Sequence, residues 1–245
     1  MSLLFIVSLL IQAGFIIHVI KTGRNQLWIW VLLLAPFGVG ALAYIAVEVL
    51  PELFRSRTAR RTARGFRKAI DPGADLRRYE NEANVAGNVA SRQRYAQELV
   101  RHGRFDDAIS QYRETLTGLY EHDPNLMLGL AQAQFGKGDA GAARATLDEL
   151  IRLNPDFHSP EGHLLYARAL EAEGNVQKAL EEYQVLAPSY PGAEAAVRYA
   201  QLLQAQGRRA EAQKVARELL EQARIAPGHY RRAQRSWLQA AERLL

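Results

Sequence analysis

The sequence predicts an all-α protein: an N-terminal transmembrane helical hairpin followed by an α-solenoid of about four helix pairs with a C-terminal capping helix. Three observations predict it. Two apolar runs, residues 3–20 and 27–50, carry a single formal charge between them, at Glu48. A stretch dense in arginine follows the second run. From residue 89 onward a pattern of glycine and alanine returns at intervals of 35, 36 and 33 residues.

The composition narrows the function before any element is placed. The 245 residues are 48% hydrophobic and 23% charged, close to globular averages, so the chain as a whole is neither disordered nor uniformly membranous. It has no cysteine, which excludes disulfides, thiolate metal sites and cysteine nucleophiles. No Gly-rich phosphate loop, His-Glu-x-x-His helix or Gly-x-Ser-x-Gly elbow occurs, and "GKGDAGAA" lacks the spacing and ending of a nucleotide loop. No catalytic residue, metal site or cofactor is expected, and the protein is read as a non-enzyme.

The first apolar run, "LLFIVSLLIQAGFIIHVI", has eighteen residues without charge and as a helix reaches about 27 Å, nearly a bilayer's hydrocarbon thickness. The alternative is a cleaved signal peptide. No basic region precedes the run and no small-x-small cleavage pattern follows it, which favours a span. After the turn "KTGRNQ" the second run, "LWIWVLLLAPFGVGALAYIAVEVL", is long enough to cross with tilt. Trp28 and Trp30 suit the interface. Gly14, Gly38, Gly40 and Ala41 give small faces where two helices approach closely, and Pro36 permits a kink. Gln12, His18 and Glu48 are the polar groups of the runs, read as an interhelical hydrogen bond for the first and interfacial snorkelling for the others.

The stretch "RSRTARRTARGFRK" holds seven basic residues, Arg55, Arg57, Arg60, Arg61, Arg64, Arg67 and Lys68, against Lys21 and Arg24 in the turn. The positive-inside rule places it, and with it both termini, on the cytoplasmic side of a bacterial inner membrane. It is expected to act as a collar for lipid headgroups, each cation attracted by about 1 kcal/mol to an anionic surface. With the collar, turn and first two acids set aside, residues 69–245 carry 22 basic and 24 acidic groups, a net of −2. A nucleic-acid partner is therefore not expected, since the positive surplus lies outside the folded surface that would grip phosphate.

The order Trp28, Trp30, apolar run, Pro36, Phe37, Gly38, Gly40, Tyr44 resembles the two-span N-terminal module of cardiolipin synthases, the phospholipase D nuclease N-terminal domain. The resemblance covers about residues 3–54 and implies an anchor or docking hairpin without lipid chemistry. The paired His-x-Lys motifs of that enzyme class are missing, because no histidine here has a lysine two residues later.

Residues 55–88 are read as collar and linker; in 69–88 an Asp-Pro-Gly and many small polar residues leave no sustained apolar stripe, with room for a short helix. The repeats then begin. Gly103, Gly138, Gly174 and Gly207 are each followed five residues later by Ala108, Ala143, Ala179 and Ala212, and preceded by seven residues by Ala96, Ala131, Ala167 and Ala200. Nine residues after each glycine stand Tyr112, Leu147, Tyr183 and Ala216. Antiparallel helices that cross closely need small side chains at the crossing, and glycine permits the tight turn between them. Leu99, Leu130, Leu170 and Leu203 would fill the space between. Prolines close the units at Pro155 and Pro191, and late at Pro124 and Pro227. This register resembles the tetratricopeptide repeat, a 34-residue helix–turn–helix unit, over residues 89–227.

The stretch 228–245 is predicted to be a helix covering the last stacking face, with a partner-binding amphipathic helix as its rival. In such arrays the first helices line a concave surface. The family's groove-facing positions fall on Gln93, Gln97, Arg101, Asn125, Leu128, Gln132, Phe135, Leu164, Arg168, Val197 and Gln201. The resemblance implies a peptide or helix partner there. It does not imply capture of a chaperone tail, because Gln93 and Gln97 stand where the carboxylate-holding Lys and Asn are expected. The expected function is a membrane-anchored scaffold that recruits a protein partner to the cytoplasmic face of the inner membrane. The alternative is a regulatory subunit of an envelope-lipid or polysaccharide synthesis enzyme, docked through the hairpin.

Overall fold

A computed structural model describes residues 14, 16–17, 19–21, 27, 30–31, 47, 71 and 73–245. The chain divides into two units, Met1–Ala74 and Asp75–Leu245. In the first, the described residues of the apolar runs are mostly helical, and Gly14 is exposed with open space where a Cβ would stand. Pro36, Gly38, Gly40, Ala41 and the seven collar residues from Arg55 to Lys68 lie outside the described residues. Among the described residues no helix is long and apolar enough to cross a membrane.

The second unit is built of helices, with no strand among the described residues. In chain order they are α1 (Ala74–Ala86), α2 (Val89–Arg101), α3 (Phe105–Thr115), α4 (Pro124–Lys137), α5 (Ala140–Leu153), α6 (Pro160–Ala172), α7 (Val176–Leu186), α8 (Glu194–Ala205), α9 (Arg209–Ile225), α10 (Gly228–Ala233) and α11 (Arg235–Glu242). The pairs α2–α3, α4–α5, α6–α7 and α8–α9 pack internally, and each second helix packs on the first helix of the next pair. The first helices of neighbouring units also meet, α2 with α4 and α4 with α6.

The turn inside every pair has one construction. Gly103, Gly138, Gly174 and Gly207 have φ of 71, 96, 79 and 78°, the left-handed region that costs a side-chain-bearing residue about 1–2 kcal/mol. The residue after each glycine donates its N–H across the helix end: Arg104 to the Leu99 carbonyl at 2.9 Å, Asp139 to Gln134 at 3.0 Å, Asn175 to Leu170 at 2.8 Å and Arg208 to Leu203 at 2.9 Å. This six-to-one bond satisfies a carbonyl that the helix end would otherwise orphan. The eight alanines of the register are each at most 1% exposed, as the close helix crossing requires.

Three parts of the fold depart from the expectations. The stretch read as linker with room for a short helix holds α1, and what departs is its packing: over thirteen residues its Leu76, Tyr79 and Ala83 lie against the core of the first pair. Its Glu80 accepts from the Tyr95 hydroxyl at 3.2 Å and its Glu82 pairs with Arg94 at 2.9 Å. Pro124 does not close α3, which ends at Thr115. It opens α4, at the position where its missing N–H costs nothing, and Asp123 caps the helix by accepting from Asn125 at 2.9 Å and Leu126 at 3.0 Å. The stretch 228–245 forms two helices, α10 and α11, with Gln234 between them. Helix α11 lies on α8 and α9, and its Ala241 and the following Leu244 join the same buried cluster as the small Ala216. Gln234 holds the junction by accepting from the Ala193 N–H at 3.1 Å.

Candidate peptide groove

The first helices carry the predicted groove residues, and the register explains which of them reach solvent. Gln97, Gln132, Arg168 and Gln201 each follow the buried alanine of their helix by one residue, so they repeat once per unit. The three glutamines are exposed and Arg168 is about one third exposed, at 32% of its side chain. Gln93, Leu128, Leu164 and Val197 share a second register position, three residues before the same alanine. Gln93 and Leu128 remain half-buried, but Leu164 is 5% and Val197 1% exposed. Those two are corrected to core residues. An apolar side chain at this position is drawn into the large cluster of the third and fourth pairs, where both now pack.

Arg101 is exposed and spends its guanidinium on the buried Glu98 at 3.0 Å. Asn125 sits exposed in the first turn of α4 with its N–H held by Asp123. Phe135 is half-buried, and the Arg168 guanidinium lies 4.7 Å from its ring centroid. A cation over a ring at this distance is attracted by about 0.5–2 kcal/mol. The Nε of Arg168 is buried without a hydrogen-bond partner, and its Nη1 is 3.9 Å from Glu194 Oε1.

Three further residues join these two, and the sequence reading missed them. Glu194 accepts from Arg198 Nε at 2.8 Å, and the Arg198 guanidinium lies 5.3 Å from the Trp237 ring of α11. The strip Phe135, Arg168, Glu194, Arg198, Trp237 thus alternates rings and charges from the second pair to the last helix. The Glu194 and Arg198 spacing of four residues on one helix was a readable signal; the approach of Trp237 was not, since it depends on where α11 docks.

A cavity of about 280 Å³ opens beside the row, between the second and third pairs, lined among others by Leu128, Leu147, Ile151, Phe157 and His163. There His163 Nε2 lies 2.7 Å from Glu182 Oε2. Leu128 belongs to this cavity, whereas Arg168 and the glutamines do not line it. Among the described residues no group of three His, Asp or Glu could hold a metal ion.

The fold and this repeated surface define a class: an α-solenoid of paired helix–turn–helix units. Residues 99–168 match the family model for the tetratricopeptide repeat. No curated protein matches it. Among solved structures it is similar to MamA, 21% identical with a TM-score of 0.52, covering 61% of this chain and 86% of that one. It is similar to a thermophilic TPR protein of Thermus thermophilus, TTC0263, 20% identical with a TM-score of 0.51, covering 67% and 89%. A kinesin light chain with nearly identical TPR-like repeats from Podosopora anserina is 19% identical with a TM-score of 0.50, covering 64% and 86%. At these identities the likeness is one of fold.

Proposed function

We propose that this protein is a non-enzymatic adaptor that binds a peptide or helix of a protein partner along its first helices and is tethered to a bacterial inner membrane by its N-terminal apolar runs. The observation that carries the binding reading is the row Gln97, Gln132, Arg168, Gln201, one polar side chain per unit on the first helix of each pair. Amides at a repeat spacing suit the donors and acceptors of a peptide backbone. The lone guanidinium marks a register at the third unit, with Phe135 supplying an apolar neighbour.

The tether rests on the length of the two apolar runs and on the collar beside them. It is supported by Ile17, Ile20, Leu27 and Trp30, which are each more than half exposed. In water such a surface is costly, and in lipid it is not. In this reading both termini and the repeats are cytoplasmic, and the collar touches lipid headgroups.

The test is a crosslinked pull-down from native membranes with the full chain and with a Gln97→Ala, Gln132→Ala, Arg168→Ala variant. A partner that disappears from the variant, while its circular dichroism and membrane fraction are unchanged, supports the groove. Retention of every partner sinks it. Reporter fusions after Lys68 test the topology, where periplasmic activity would contradict a cytoplasmic scaffold.

A further inference from the structure

The charge of the solenoid is segregated. Residues 69–223 hold 17 basic and 23 acidic groups, a net of −6, whereas residues 224–245 hold five arginines and the single acid Glu242, a net of +4. Arginines in the body are mostly paired: Arg94 with Glu82 at 2.9 Å, Arg104 with Asp107 at 2.6 Å, Arg144 with Glu173 at 2.6 Å and Arg208 with Glu211 at 2.6 Å. At the far end the pattern stops. Arg224, Arg231, Arg232, Arg235 and Arg243 are all exposed, and among the described residues none of them has a carboxylate partner. Arg232 reaches only the Gly228 carbonyl, at 3.4 Å. Beside them, where α9 ends, Ile225 is 90% exposed.

We propose that this end of the solenoid is a docking surface for the anionic headgroups of a lipid bilayer, with the arginines on phosphate and Ile225 entering the interfacial layer. Charge complementarity selects an anionic partner, and the isoleucine selects among anionic partners. A bilayer offers phosphate and, a few ångströms deeper, hydrocarbon that takes an apolar side chain. A nucleic acid offers phosphate without that layer, and a long polyanion laid along the molecule would also meet the acidic body. A flat membrane needs to touch the basic end only. The proposal borrows from the tethered reading only the nearness of a bilayer. With it, the repeats gain a second contact with lipid, separate from the apolar runs.

The chain has no cysteine, so a single label can be placed at will. A polarity-sensitive fluorophore is attached to the full chain through Ile225→Cys, with a control label at the exposed Lys178→Cys on α7. Both are reconstituted with vesicles of phosphatidylcholine alone and of phosphatidylcholine with phosphatidylglycerol, each doped with a lipid-borne quencher. The expected result is quenching at position 225 with phosphatidylglycerol and not without it, none at position 178, and reversal in high salt. Arg231→Glu, Arg232→Glu, Arg235→Glu should lower the docked-to-undocked ratio at least about tenfold. These side chains are exposed, and unchanged circular dichroism confirms that the variant is folded. Equal signals at 225 and 178 with phosphatidylglycerol overturn the proposal, and so does quenching that ignores lipid charge. A response to added polyglutamate or RNA with none to vesicles overturns it in favour of a soluble polyanion. Failure of the tether is read separately, as failure to co-float with phosphatidylcholine vesicles, and leaves the phosphatidylglycerol result at position 225 to stand or fall alone.

Discussion

Raising the pH attacks the solenoid from inside, because two phenols at one register position are buried in it. Tyr112 and Tyr183 stand nine residues after Gly103 and Gly174 and are 1% and 0% exposed. Burial pushes the Tyr112 hydroxyl up to about 12. Burial raises Tyr183 further, and the hydrogen bond it donates to Glu171 Oε2 at 2.7 Å adds to the shift, since a phenolate there would face a carboxylate. In the unfolded chain both titrate near about 10. The folded state therefore keeps protons that the unfolded state releases. The stability they contribute is whole below about pH 10 and is lost as pH rises through the folded values. Each phenol contributes a slope of about 1.4 kcal/mol per pH unit above that point, so the pair removes roughly 2–3 kcal/mol by about pH 11. For a domain of this size that lowers Tm by about 5–10 °C. Thermal melts by far-ultraviolet circular dichroism, run beside the phenolate absorbance, measure both halves of the statement. Tyr112→Phe should remove one phenol's share of the slope and leave the rest, because burial also pushes Tyr166 up to about 12. A Tm that stays flat between about pH 10 and 11, or phenolate absorbance complete near 10 with the helices intact, would refute the reasoning.

Two glycines test different physics. A Cβ at Gly129 of α4 would overlap the Tyr112 ring, so Gly129→Ala is expected to cost about 1–3 kcal/mol through overpacking. Gly174 has open space around its Cβ position and a φ of 79°, so Gly174→Ala should cost only the backbone penalty, about 1–2 kcal/mol. Urea unfolding of both variants checks the pair, and a neutral Gly129→Ala would contradict the packing. Arg168→Lys keeps the charge of the groove strip and loses the flat stacking on Phe135, so partner affinity measured by titration should fall while Tm moves by less than about 3 °C. In the apolar runs, Gly38→Leu with Gly40→Leu separates an anchor from a docking hairpin: normal insertion with lost function favours the regulatory-subunit alternative, and indifference favours the plain tether.

What the sequence makes legible here is whatever local sterics dictate. The turn glycines could be read because only glycine enters the left-handed region cheaply, and all four do so. The eight alanines could be read because two helices cannot cross closely over anything larger, and all eight are buried. Register alone then places Gln97, Gln132, Arg168 and Gln201 at one position. It fails at Leu164 and Val197, where the position is right for a groove but the side chain is apolar, and the neighbouring cluster takes it. At α1 the sequence allows a short helix but not its docking, because the stripe of Leu76, Tyr79 and Ala83 is too short to show what it packs on until the surface of the first pair exists to receive it. The packing of Tyr112 on Gly129 and of Arg198 under Trp237 lies between units, outside any repeat period. The same division bears on function. Residues that obey the repeat build the scaffold and would do so for any partner, whereas specificity must come from residues that break it. Arg168 is such a residue, the one cation in a row of amides, with an unpartnered Nε and a ring beneath it. The exposed arginines at the end of α9 and beyond are another such break, a run of five without a carboxylate partner among the described residues, in a solenoid that pairs most of its arginines. A partner that reads the groove and a surface that reads the basic end would therefore act on opposite departures from one repeated design, and variants at either should leave the other intact.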